Sequence, residues 1–183
     1  MRNSICRAVT RAAAALGLLA LVGCNALPPF NFSPEYSGPS AHKLDADLKG
    51  VTVTLANPQD KTGQMPADGA LAPPIWKEAL QDAIDKSAVF DDDSHRRVNI
   101  AVKVLKIDIP DIGLTFQTDV DARYQIVDRQ SGTPLYDRVI SSSGSVPMDW
   151  AFAGVIRRRE SINRAVQNNI AMFMNSLYTT TLP

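Results

Sequence analysis

Reactive side chains are scarce in this chain, and the scarcity excludes most chemistry. Two cysteines and two histidines are spread over 183 residues. His42 sits in a Pro-rich stretch and His95 beside an acidic turn, so neither belongs to a nucleophile–base arrangement. No G-x-S-x-G, H-E-x-x-H or phosphate-loop motif occurs. Catalysis needs a nucleophile, an acid/base or a metal held by partners. None is legible here, so the chain is read as non-enzymatic and without a cofactor. Cationic excess is missing too: 19 Lys and Arg balance 19 Asp and Glu. Nucleic-acid binders are usually basic, so nucleic acid is excluded as a partner. No apolar run reaches the ~20 residues that span a hydrocarbon core.

The apolar run that does exist is short and N-terminal. Arg2, Arg7 and Arg11 precede about a dozen apolar residues over 12–22, broken only by Gly17. This is the charge and length pattern of an export signal. It closes on Leu21-Val22-Gly23-Cys24, which resembles the lipobox of bacterial lipoproteins. The resemblance implies acylation of Cys24 and cleavage before it. Residues 1–23 are then a signal peptide. Their loss takes three of the 19 basic residues and none of the 19 acidic ones, leaving 160 residues with a net charge of −3. Cys6 leaves with the signal and Cys24 carries lipid, so no disulfide or thiolate metal site is expected. Two acyl chains already anchor a protein stably. The chain is therefore expected on a membrane, facing the periplasm. Asn25 stands where an Asp resembles an inner-membrane retention signal. This favours the outer membrane over the inner one.

Residues 24–49 carry Pro28, Pro29, Pro34 and Pro39 and read as a tether. Phe30, Phe32 and Tyr36 give it something to bury if it packs on the domain instead. Residues 50–183 form one domain, a size suited to a single modest core. Val51, Val53 and Leu55 alternate as a first strand. Pro58, Gly63, Pro66 and Gly69 mark a long loop. Pro73 and Pro74 open a helix whose stripe is Trp76, Ala79, Leu80, Ala83 and Ile84. Asp91-Asp92-Asp93 lacks calcium-loop spacing and reads as a solvated turn.

Three strands follow. Val98, Ile100, Val102 and Val104 alternate, then the phase flips to Leu105, Ile107 and Ile109. A one-residue slip inverts both faces, so a bulge or strong twist is predicted near Val104-Leu105. Residues 114–126 alternate cleanly, a loop spans 128–132, and residues from Pro134 to about Ser145 return as an edge strand. Asp119 and Asp121 share a strand face, but Lys103 and Arg123 make them a solvated charge ladder rather than paired catalytic carboxylates. A last helix is predicted from about Trp150 to Tyr178, with Ile162, Val166, Ile170, Phe173 and Leu177 inward. Short turns pair successive strands antiparallel. The expected fold is α+β, an antiparallel sheet of about four strands with two helices on one face, in the order β-α-β-β-β-α.

Arg157-Arg158-Arg159 near the helix start opposes the macrodipole. An anionic partner or lipid headgroup is one reading, and a solvated turn compensated by Glu160 the other. Met148, Trp150, Phe152 and Val155 just before it are read as core rather than as an exposed lip. With the lipobox, the tether, Gly50-Val51-Thr52-Val53-Thr54, the Val98-Asn99-Ile100 strand, the Gly132 turn and the Asn-rich closing helix on the page, the chain resembles small Gram-negative envelope lipoproteins of the YajG-like group. It is more distantly similar to auxiliary lipoproteins of ABC-type lipid transporters. The resemblance implies a protein or lipid partner in envelope assembly or transport. A structural role, on cell wall or by self-association, is the alternative. An enzyme acting on envelope lipid or sugar stands behind both.

Overall fold

The computed structural model describes residues 27, 29–35, 38–110 and 112–183. The signal segment, Cys24 and Tyr36 lie outside the described residues. Four strands, β1 (Asp47–Leu55), β2 (Arg97–Asp108), β3 (Phe116–Asp128) and β4 (Pro134–Val146), form one open sheet in chain order. Two helices, α1 (Ala72–Ser87) and α2 (Gly154–Leu177), cover one face.

The sheet is mixed. β2, β3 and β4 pair antiparallel, as short hairpins require, but β1 pairs parallel to β2. The expectation of an antiparallel sheet fails at this one pairing. The link from β1 to β2 is no short turn. It crosses over through α1, which lies against the sheet and returns the chain in the same direction.

The predicted bulge is present. Val104 pairs with Ala122 and Lys106 with Asp121, leaving Leu105 as the extra residue. Ahead of it Val98, Ile100, Val102 and Val104 face the helices; after it Ile107 resumes the buried set. On β3 the inward set is Thr118, Val120, Ala122, Tyr124 and Ile126. The helices meet this face with Trp76, Leu80 and Ile84 from α1 and Ile162, Val166, Ile170, Phe173 and Leu177 from α2.

At β4 the helix comes unusually close. A Cβ on Gly144 would stand 2.3 Å from the Ala165 nitrogen and 2.5 Å from the Ser161 carbonyl oxygen. Only glycine lets α2 lie on the edge strand at this point. The Asn and Ser side chains there serve the contact. Ser142 Oγ donates to the Ala165 carbonyl at 2.9 Å, and Asn168 Nδ2 to the Ser143 carbonyl at 2.8 Å.

The domain starts before residue 50, within the expected tether. β1 begins at Asp47, and Leu44 bridges to Phe90. Residues 29–35 lie along the two helices. Phe32 is 1% exposed and meets Trp76 edge to face with ring centroids 6.3 Å apart. The Asn31 N–H donates to Asn163 Oδ1 at 3.1 Å, and Gln167 Nε2 donates to the Asn31 carbonyl at 2.9 Å. An extended segment has no ladder for its backbone groups, and helix side chains supply the partners instead.

Candidate interaction surface

The three candidate arginines do not form one patch. Consecutive helix residues point about 100° apart, so each goes its own way. Arg157 is buried, which corrects its reading as a contact for an anionic partner. Its Nη1 donates to the Ala151 and Phe152 carbonyls at 2.6 and 2.9 Å, and its guanidinium lies 5.6 Å from the Phe116 ring centre. The cation clasps the chain entering α2, which explains why it is tolerated near the positive end of the dipole. Its Nε has no hydrogen-bond partner among the described residues. Arg159 lies over the Phe30 ring at 3.8 Å and holds the N-terminal segment. Arg158 is half-buried, and its carbonyl accepts from Ser161 Oγ. Cys24 lies outside the described residues.

Buried polar groups inside the domain are structural. Trp76 Nε1 donates to Tyr124 Oη at 3.3 Å, and Tyr124 Oη donates to Asn169 Oδ1 at 2.9 Å. Asn169 Nδ2 then donates to the Ile140 carbonyl at 2.9 Å and to Ser142 Oγ at 3.0 Å. This chain joins α1, β3, α2 and β4 through the core. Tyr124 also stacks on Phe173 at 4.2 Å, and burial pushes its phenol pKa far up, so it stays neutral. Periodicity had marked Tyr124 as inward but carried no sign of its hydrogen bonds.

The bare face of the sheet carries a charge ladder. Lys103 pairs with Asp60 at 2.8 Å, Lys106 with Asp121 at 3.4 Å, and Arg123 grips Asp137 with two donors. Partial burial alone would raise the Asp121 pKa. Hydrogen bonds from Thr62 and Ser141 and the Lys106 ammonium more than offset that and leave it lowered. Asp119 takes a hydrogen bond from Gln117 instead, so the two carboxylates have separate partners. Asp91 accepts from the Asp93 N–H and, through its carbonyl, from the Ser94 N–H, the hydrogen bonding of a closed turn. Among the described residues no three metal-ligating side chains come together.

Cavities are small or shallow. The one between residues 34–35, α1 and α2 holds about 40 Å³, beside Lys86, Met174 and Tyr178. Small-molecule sites run to ~300 Å³ and more. A wider groove of about 660 Å³ between Phe30, Ile75 and Glu78 is a shallow trough on the surface of α1. Its lining carries Lys77, Glu78, Asp82 and Asp85 along α1.

The surface that stands out was missed in the sequence. Trp150 and Phe152 are not core: they are 46% and 101% exposed. Met148 and Val155 are exposed beside them, and so are Ile112 and Leu114 in the loop between β2 and β3. Phe116 pairs with Val146, so both loops leave the same end of the sheet. The α2 helix starts only at Gly154, later than predicted, after a short helical turn at Met148–Trp150.

No protein-family model matches the chain, and no curated protein matches it. Solved structures do. Protein XCC0632 of Xanthomonas campestris, from the family DUF330, superposes with a TM-score of 0.56 at 10% identity, over 82% of this chain and 92% of that one. The two share a fold. A minor lipoprotein of Acinetobacter baumannii matches at a TM-score of 0.44 and 12% identity, over 74% and 96% of the two chains. The PelC dodecamer of Paraburkholderia phytofirmans matches at 0.45 and 15%, over 78% and 92%.

Proposed function

We propose that this protein is a non-catalytic lipoprotein of the bacterial envelope, held by acyl chains on Cys24, that binds a protein or lipid partner in envelope assembly or transport. The lipobox Leu21-Val22-Gly23-Cys24 behind a short apolar signal is the observation that carries the reading. The geometry supports its second half. At one end of the sheet Ile112, Leu114, Trp150 and Phe152 are exposed, a surface suited to a partner. The most specific form of the reading is an auxiliary subunit of an ABC-type lipid transporter, with the domain on the periplasmic side of the outer membrane.

Mass spectrometry of the native protein tests the anchor. The expected N-terminal peptide begins at Cys24 and carries two or three acyl chains. An unmodified Cys24, or cleavage elsewhere, would falsify the reading. Crosslinking in intact cells tests the partner: the auxiliary form expects permease or substrate-binding subunits in the crosslinked product. Peptidoglycan fragments or homo-oligomers alone would select the structural alternative.

A further inference from the structure

Six exposed large apolar side chains lie in the two segments that leave one end of the sheet: Ile112, Leu114, Met148, Trp150, Phe152 and Val155. Phe152 is fully exposed and Ile112 is 91% exposed. Scattered surface apolar residues are normal, whereas a cluster at one end marks a contact surface. Other exposed large apolar residues, such as Leu71, Val139 and Met172, lie on separate elements. The cluster also has a rigid base. Arg157 clasps the carbonyls of Ala151 and Phe152. Arg164 donates to the Ser145 carbonyl at 2.9 Å and lies 5.5 Å from the Trp150 ring centre.

The path of the N-terminal segment says what covers this end. Pro34 and Glu35 lie beside Met174 and Tyr178, near the C-terminus of α2. Asn31 lies at Asn163 and Gln167, and Phe30 under Arg159. Read backward, the chain climbs α2 toward its first turn, which is where the apolar cluster sits. Cys24 stands six positions before Phe30, a reach of at most ~20 Å. A lipid on Cys24 would thus be held within that reach of the end of the domain that exposes its apolar side chains. Trp and Arg at the rim suit the boundary between headgroups and acyl chains. Of the four arginines from Pro147 to Arg164, Arg157 is buried and Arg164 pairs with Glu160 at 3.0 Å, which leaves Arg158 and Arg159 at the surface of this end.

We infer that this end of the domain is a membrane-docking tip: Phe152, Ile112, Leu114 and Trp150 enter the interfacial layer of the bilayer that holds the Cys24 lipid. The occupant is phospholipid. The inference rests on the lipid-anchor reading for its placement, but it adds a second, non-covalent contact and a fixed orientation.

The test uses the mature acylated protein in vesicles of phosphatidylethanolamine and phosphatidylglycerol, with or without lipids brominated along the acyl chain. The protein has two tryptophans, and Trp76 is fully buried. Trp76 therefore supplies the baseline. Brominated lipid is expected to quench the Trp150 component of the emission. In Trp150→Phe only the unquenched baseline should remain. In Ile112→Glu/Phe152→Glu the quenching should fall to that baseline, although the protein still floats with the vesicles. Both substituted side chains are exposed, so the fold is not at stake; far-UV circular dichroism checks this. Equal quenching in all three proteins overturns the inference. So does a dimer of the acylated protein, seen by sedimentation in detergent, that Ile112→Glu/Phe152→Glu dissociates, since a second copy then covers the tip. Failure of the anchor is read separately, from the mass of the Cys24 peptide.

Discussion

Replacing Gly144 with alanine should be among the most damaging single-methyl additions available in this protein. The new Cβ would meet the Ala165 nitrogen at 2.3 Å, the Ser161 oxygen at 2.5 Å and the Arg164 carbonyl carbon at 2.8 Å. All three atoms are helix backbone, so no rotamer change relieves them. Ordinary contact begins at 3.4 Å. The first half of α2 must therefore lift by about 1 Å, since packed interiors do not otherwise give way. That lift stretches Ser142–Ala165 at 2.9 Å, Asn169–Ile140 at 2.9 Å and Thr118–Ser161 at 2.7 Å toward the limit of hydrogen bonding. Overpacking costs about 1–3 kcal/mol. Weakening two or three hydrogen bonds adds roughly 0.5–1.5 kcal/mol for each one lost. The expected total is about 3–5 kcal/mol. Urea denaturation followed by circular dichroism measures it. At about 2–4 °C per kcal/mol for a domain of this size, the melting temperature should fall by about 10 °C. Gly50 in β1 is the control, because its nearest neighbour would be Asn99 Oδ1 at an ordinary 3.7 Å. Gly50→Ala should be neutral or stabilise by up to about 1 kcal/mol. If Gly144→Ala costs less than about 1 kcal/mol, the helix is not seated on β4 as described.

Three further outcomes are expected. Phe32→Ala should destabilise the domain by about 3–5 kcal/mol in the same urea assay, the cost of emptying a buried aromatic site; a loose tether would give no change. Tyr124→Phe strands the Trp76 N–H and the Asn169 carbonyl oxygen and should cost about 1–3 kcal/mol, with a changed near-UV circular dichroism spectrum; an unaltered stability would mean the hydrogen-bond chain is idle. Asp121 and Asp137 have lowered pKa values, Asp121 through the hydrogen bonds and Lys106 charge that outweigh its burial and Asp137 chiefly through Arg123. Their contribution is present above the unfolded carboxylate value of ~3.9 and is lost as pH falls below it toward the folded values. Asp121→Asn/Asp137→Asn should therefore flatten the acid limb of a stability–pH curve below about pH 4 and lower stability at neutral pH. An acid limb identical to wild type counts against those ion pairs.

Most of the sheet and both helices were legible because their apolar residues repeat at periods of 2 and 3.6. The phase flip after Val104 even located the Leu105 bulge, because a bulge is the physical means of reversing a strand's faces. What escaped had no period to read. Phe32 docks from a Pro-rich stretch in which each residue finds its own partner on the helices. Trp150 and Phe152 looked like core because large apolar side chains usually are, and a short helical turn has no face to say otherwise. Arg157 looked like a surface cation; its burial depends on two carbonyls that only the turn ahead of α2 brings within reach. The parallel pairing of β1 was available in principle, since a strand, a packed helix and a second strand return in one direction. The link from β1 to β2 spans residues 56–96, so the short-turn rule does not govern it.

The docked N-terminal segment shortens the leash. If residues 24–49 were all slack, the body could roam some 25–30 Å from its attachment point as a flexible coil. With Phe32 wedged against Trp76 and Phe30 under Arg159, the docked stretch begins only six positions after Cys24. On the proposed anchor at Cys24, such a protein does not shuttle cargo across a wide aqueous gap. The Asp128–Gly132 hairpin, with Arg96, Arg97 and Arg129 beside it, lies at the pole opposite Trp150 and faces away from the bilayer in the proposed docking. Docked so, the protein would present this pole, with His95, Asp128 and the three arginines, to whatever approaches.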